Sequence, residues 1–100
     1  MPLDLIDHIA INISDLEKAI KWYTTSFHSR IVYQDKRLAI LEFANVRLHL
    51  VLPSEQPAHL AFVRDDAETL GELCEQKGGG RSTYVSDPLG NPVEIVAKDD

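Results

Sequence analysis

Residues 7–13, Asp7-His8-Ile9-Ala10-Ile11-Asn12-Ile13, alternate between two faces: Ile9, Ile11 and Ile13 on one, His8, Ala10 and Asn12 on the other. A period of two is a strand. Ser14 or Asp15 then caps a helix. Its apolar stripe is Leu16, Ala19, Ile20 and Tyr23 through about Ser26, and Trp22 and Phe27 extend that stripe for packing on a sheet. Alternation returns at residues 31–33, 38–43 and 46–52, three strands separated by the polar turn Gln34-Asp35-Lys36-Arg37 and by Ala44-Asn45. In the last of them Val46, Leu48, Leu50 and Leu52 point one way, and Arg47, His49 and Val51 the other. Residues 53–57, Pro-Ser-Glu-Gln-Pro, form a polar linker punctuated by two prolines.

The pattern then restarts. His59-Leu60-Ala61-Phe62-Val63 repeats His8-Ile9-Ala10-Ile11-Asn12, with a histidine again heading an alternating strand. Asp65 or Asp66 is expected to cap a second helix, with the stripe Leu70, Leu73 and Cys74, and Gly78-Gly79-Gly80 to end it. The triple glycine lacks the lysine and hydroxyl residue of a phosphate loop. Strands follow at residues 83–85 and 93–97, joined by the turn Asp87-Pro88-Leu89-Gly90-Asn91-Pro92. The first half thus reads strand, helix, three strands, and the second half one strand fewer. The class is α+β, with a one-sided sheet backed by helices.

Composition narrows the reading. One hundred residues, 44% apolar and 26% charged, describe a single ordinary globular domain of marginal core size. A net charge of −6 gives no basic patch, which argues against nucleic acid or an anionic membrane as partner. No apolar run approaches the roughly 18 residues of a membrane span. The N-terminus lacks a signal-like core, and the Lys98-Asp99-Asp100 end reads as solvated. The single cysteine, Cys74, forms no internal disulfide and reads as a buried or half-buried filler, which fits a reducing cytoplasm.

Four metal-capable side chains occupy matching places. His8 opens the first strand of the first half and His49 lies in its last; His59 opens the first strand of the second half and Glu94 lies in its last. On a sheet backed by helices, all four share the uncovered face, and a pseudo-two-fold axis brings them together. A lone strand histidine is ordinarily hydrogen-bonded or part-exposed; it is the paired placement that points to chemistry. Three imidazoles and a carboxylate suit zinc, nickel, cobalt, manganese or iron(II). His28, in a polar turn without a repeat partner, reads as a surface residue. Arg47 and Tyr84 are candidate substrate-binding residues by parity.

The stretches D-H-I-A-I-N-I-S-D-L-E-K-A-I-K-W-Y, H-L-A-F-V and Y-V-S-D-P-L-G-N-P-V-E-I-V resemble the vicinal oxygen chelate superfamily. That superfamily includes glyoxalase I, methylmalonyl-CoA epimerase, extradiol dioxygenases and the fosfomycin and bleomycin resistance proteins. The resemblance runs from Asp7 to Val96. It implies two βαβββ modules, here residues 1–56 and a shortened 57–100, forming a cupped mixed sheet around a divalent metal. It also implies His8, His59 and Glu94 as ligands, with His49 at the remaining ligand position.

The expected activity is that of a lyase or isomerase acting on a small oxygenated substrate through a metal-stabilised enediolate, with Glu94 as ligand and base. A metal-free drug-binding cup and an iron(II) dioxygenase are the alternatives, a fourth ligand at His49 crowding the latter. Two departures weigh against glyoxalase I activity itself: the missing strand, and His49 in place of an acidic residue. A homodimer is expected, because the shortened module leaves a sheet edge to cover.

Overall fold

Each alternating stretch of the sequence is a strand in the computed structural model, which describes residues 2–98; Asp99 and Asp100 of the expected solvated end lie outside them. The first half runs β1 (Leu5–Asn12), α1 (Leu16–Ser26), β2 (Arg30–Gln34), β3 (Leu38–Glu42) and β4 (Arg47–Val51). The second runs β5 (His59–Arg64), a 3-10 turn (Ala67–Thr69), β6 (Cys74–Glu75), β7 (Arg81–Ser86) and β8 (Pro92–Ala97). The eight strands form one curled mixed sheet in the order β2-β3-β4-β1-β5-β8-β7-β6. That order reads the same from either end in terms of the repeat. β1 runs parallel to β4 and β5 parallel to β8, and the halves meet where β1 and β5 pair antiparallel.

Of the two candidate caps, Asp15 acts: its carboxylate accepts the Lys18 N–H at 3.0 Å. Below it, Leu16 and Ile20 pack onto Ala39, Leu41 and Leu50, the convex face of β3 and β4. Leu41 and Leu50 are fully buried, and each contributes about 1.5–3 kcal/mol of apolar burial. The opposite, concave face carries its own cluster of Ala10, Leu38, Ile40 and Val51. Trp22 and Phe27 do not join the helix–sheet contact. They stay half exposed and meet edge to face, ring centres 5.8 Å apart.

The second half departs from the expectation in three linked ways. The helix with the stripe Leu70, Leu73 and Cys74 is replaced by the 3-10 turn, and Asp66 at its start makes no side-chain cap bond. The strand that the sequence seemed to lack is present as β6, paired through Cys74–Ser82 and Glu75–Arg81 with β7. Cys74 is therefore exposed on an edge strand rather than a core filler. Spacing explains this. Only residues 65–80 are available between β5 and β7 for a crossover, an edge strand and a turn, whereas the first half uses residues 13–37. Gly71 also lowers helix propensity, and it crosses so close to β7 that a side chain there would collide with Thr83 Oγ1.

The three glycines end no helix; they turn β6 into β7, all with positive φ. This turn reaches across the concave face to the β2–β3 hairpin. Lys77 Nζ lies 2.7 Å from Glu55 Oε1 and 3.2 Å from Asp35 Oδ2, and Gly78 lies against Ile40 and Tyr33. Asp35 is held ionised, its pKa lowered to about 2, first by the Arg37 backbone N–H and then by the Tyr33 hydroxyl and Lys77. Among the described residues, no helix is long and apolar enough to cross a membrane.

Gly78 and Gly79 separate the two demands of this turn. At Gly78 (φ +83°) a Cβ would sit 2.6 Å from Ile40 Cδ1, whereas at Gly79 (φ +104°) it would meet nothing within 4 Å. Gly79→Ala should destabilise by about 1 kcal/mol from backbone strain alone. Gly78→Ala should lose more, through displaced packing. Urea denaturation of both variants checks the order.

Candidate metal centre

Strand pairing sets the site out in two rows across the seam. In one row His8 lies opposite Ala61, which lies beside Glu94; in the other His59 lies opposite Ala10, which lies beside His49. Each alanine thus sits between two functional side chains. Neighbouring strands are roughly 4.8 Å apart, so residues two strands apart touch only over a small intervening residue. Ala10 and Ala61 provide that clearance and are themselves buried, as are His8, His49, His59 and Glu94.

Three of the four polar side chains converge. His8 Nε2 lies 3.3 Å from His59 Nε2 and 3.0 Å from Glu94 Oε1, and His59 Nε2 lies 2.9 Å from the same Glu94 oxygen. Each is oriented from behind. His59 Nδ1 is 2.7 Å from the Pro57 carbonyl oxygen, which only accepts, so Nδ1 carries the proton and Nε2 presents a lone pair. His8 Nδ1 donates in the same way to Asp7 Oδ2 at 2.7 Å. Ser82 Oγ donates to Glu94 Oε2 at 2.6 Å, leaving Oε1 aimed at the histidines.

The result is a buried triangle in which two imidazole Nε2 atoms and a carboxylate oxygen face one another. Contacts this short require a proton or a metal ion among the three atoms. Burial opposes ionisation of Glu94, but its hydrogen bonds with His59, His8 and Ser82 win and hold it as carboxylate. Burial likewise opposes the charged form of His8, yet Asp7 and Glu94 raise its pKa above the ordinary imidazole value. The geometry fits a metal ion. Two ligands at right angles on an ion, each about 2.1 Å away, are roughly 3.0 Å apart, against observed edges of 2.9, 3.0 and 3.3 Å. Among the described residues, His8, His59 and Glu94 form a group able to hold an ion.

His49 is placed differently. Its ring stacks on that of His8, centres 3.5 Å apart and planes within 4°, so its nitrogens lie in a parallel plane rather than aimed at the shared point. Burial, and then the charge of His8, lowers its pKa to about 3 and keeps it neutral. Arg47 lines the cavity beside His8 and lies 3.5 Å from Glu42. The Tyr84 hydroxyl is 3.5 Å from His59 Nε2 and donates to Gln56 Oε1 at 3.2 Å. Burial, reinforced by the Glu94 charge, raises its pKa and keeps it a neutral donor. His28 is exposed.

Sequence reasoning missed the orienting residues Asp7, Pro57 and Ser82. The first had a signal, being a carboxylate directly before a candidate ligand. Ser82 shares the strand face of Tyr84. The Pro57 carbonyl, a backbone atom in a linker, had none.

A sequence profile of the Glyoxalase/Bleomycin resistance protein/Dioxygenase superfamily matches residues 5–95. Solved structures share the fold at low identity. A hypothetical protein from Bacillus halodurans C-125 is 13% identical, with a TM-score of 0.74 over 99% of this chain and 97% of its own. Homoprotocatechuate 2,3-dioxygenase from Brevibacterium fuscum is 24% identical, with a TM-score of 0.69 over 97% of this chain and 37% of its own. Lactoylglutathione lyase from Agrobacterium tumefaciens is 24% identical, with a TM-score of 0.51 over 96% of this chain and 95% of its own. With a profile spanning nearly the whole chain and a repeated fold to match, this protein belongs to the glyoxalase/bleomycin resistance/dioxygenase superfamily.

Proposed function

We propose that this chain is a divalent-metal-dependent lyase or isomerase acting on a small oxygenated substrate, with His8, His59 and Glu94 holding the ion. The observation that carries this reading is the acceptor triangle: three inward lone-pair donors, each locked from behind, in a buried site. The donor set suits zinc, nickel, cobalt, manganese or iron(II). When bound, such an ion supplies a Lewis acid for charge developing on substrate oxygens.

The remaining roles fall to the chain's own residues. Asp7, the Pro57 carbonyl and Ser82 fix the two rings and the carboxylate, as outer partners of metal ligands do. Glu94, whose Oε1 is a corner of the triangle, is assigned the transfer of a substrate proton. The Tyr84 hydroxyl donates toward a substrate oxygen beside His59, and Arg47 faces anionic charge from the other edge. His49, expected as a fourth ligand, is assigned here to holding the plane of His8. The two modules, residues 1–56 and 57–100, act as one domain, and a cytoplasmic homodimer belongs to the same proposal. A metal-free drug-binding cup is less well supported, because it has no use for two imidazoles and a carboxylate locked onto one buried point.

A specific observation favours one second reading, the iron(II) dioxygenase. Two histidines and one carboxylate with open positions are the donor set of non-haem iron oxygenases, and the stacked pose of His49 removes the crowding by a fourth ligand.

Titration of metal-free protein should give one ion per chain, lost in His59→Ala and in Glu94→Ala but kept in His49→Ala. Full binding by His59→Ala would overturn the triad. Ser82→Ala and Asp7→Asn should each weaken binding by about 10–100-fold, read by competition with a coloured chelator. The two reactions part on oxygen. The lyase or isomerase exchanges substrate carbon-bound hydrogen with deuterated solvent and consumes no oxygen, whereas an iron-loaded dioxygenase takes up oxygen with a catechol.

A further inference from the structure

The triangle lies near two unequal spaces. One is a small cavity of about 50 Å³, lined by Asp7, His8, Glu94 and the basic residues Arg47, Lys77 and Arg81. That is room for about one or two waters, not for an organic substrate. The other is an open groove of about 470 Å³, lined by Glu55, Gln56, Pro57, Gln76, Tyr84 and Pro92, which meets the triangle through Tyr84. Its volume is within the range of small-molecule sites. Gln56 and Gln76 line both spaces. Tyr84, in the groove, reaches the triangle directly, its hydroxyl 3.5 Å from His59 Nε2 and its ring edge to face with that imidazole at 5.3 Å.

The groove differs from the cavity in charge as well as size. Its one ionisable acid, Glu55, is paired with Lys77 at 2.7 Å and lies 3.9 Å from Arg37. The other walls are two carboxamides, a phenol and two proline rings, which are uncharged and offer flat or shallow apolar faces.

We propose, on the basis of the metal reading above, that this groove binds the non-reacting part of the substrate, a flat uncharged group of aryl size. Gln56 and Tyr84 then form the gate through which the oxygenated head reaches the triad. The contact between them is a single hydrogen bond of 3.2 Å, so opening it exposes the His59 side of the triangle without disturbing the sheet. The basic cavity behind takes no part in holding this tail.

Two probes test the proposal in the full chain. Benzamide, which carries the tail and no chelating head, is added to metal-free protein. It should shift the NMR side-chain amide signals of Gln56 and Gln76 and the ring signals of Tyr84, and Gln76→Trp, which fills the groove, should abolish the shifts of Gln56 and Tyr84. Unmoved groove signals would overturn the proposal whether or not a metal binds. Benzohydroxamate and acetohydroxamate, which share one chelating head, are then compared by calorimetry on zinc-loaded protein. Benzohydroxamate should bind at least about tenfold more tightly, from burial of the ring. Gln76→Trp should remove that advantage, bringing the two affinities together. Equal affinities in the natural protein, or a preference kept in Gln76→Trp, would overturn it. Absence of zinc uptake would instead sink the metal reading, with the benzamide result still deciding the groove.

Discussion

Two imidazole nitrogens and a carboxylate oxygen held within 3.3 Å of one another in a buried site are the constraint from which the rest of this structure can be understood. Such a grouping repels itself and is expensive to desolvate. It persists only if the scaffold leaves the side chains no alternative and positive charge, a proton or an ion, sits among them. The scaffold meets the first condition with backbone. Ladder hydrogen bonds fix the register of β1, β5 and β8, and a slip of one residue would send every ligand to the convex face. Asp7, Pro57 and Ser82 then remove the remaining freedom of the rings and the carboxylate.

The same register explains why the alanines matter. A ligand pair carried two strands apart needs a low floor between its members, and Ala61 and Ala10 supply it in the two rows. The sequence motif that repeats is therefore not a histidine alone. It is a histidine followed two residues later by alanine, His8 with Ala10 and His59 with Ala61. In an antiparallel pair across a two-fold axis, this spacing places each histidine opposite the other strand's alanine.

Features that follow from a period of two were legible in the sequence: the strands, the shared face of the four polar residues and the repeat itself. What was not legible depended on tertiary competition. The stripe Leu70, Leu73, Cys74 has helical spacing, but the short path from β5 to β7 and the close crossing at Gly71 leave room for one 3-10 turn and a two-residue strand. The glycines that resemble a helix stop serve a hairpin instead. Parity placed His49 on the correct face but did not fix its rotamer, and the rotamer decides whether it stacks on His8 or aims at an ion. Gln56, in a segment that reads only as linker, gave no sign that it borders both spaces beside the triad.

The divergence of the two halves shows why the convergence is three-fold rather than four-fold. In the repeat, His49 on β4 corresponds to Glu94 on β8, because each lies beside the alanine of its own half. Their cross-strand neighbours correspond too. Ile40 pairs with His49 as Tyr84 pairs with Glu94, and Leu38 with Val51 as Ser82 with Val96. So the first half backs its position with Leu38 and Ile40, which belong to an apolar cluster. The second half backs its own with Ser82 and Tyr84, a hydroxyl that grips Glu94 and a phenol beside His59. A carboxylate in the first position would face Leu38 and Ile40 where Glu94 faces a hydroxyl and a phenol, and the neutral imidazole that occupies it lies flat against its neighbour. The polar wall that steadies Glu94 also borders the open groove. The second half thus supplies the polar support at its position, and the first half supplies an apolar one, so the two equivalent positions carry different side chains.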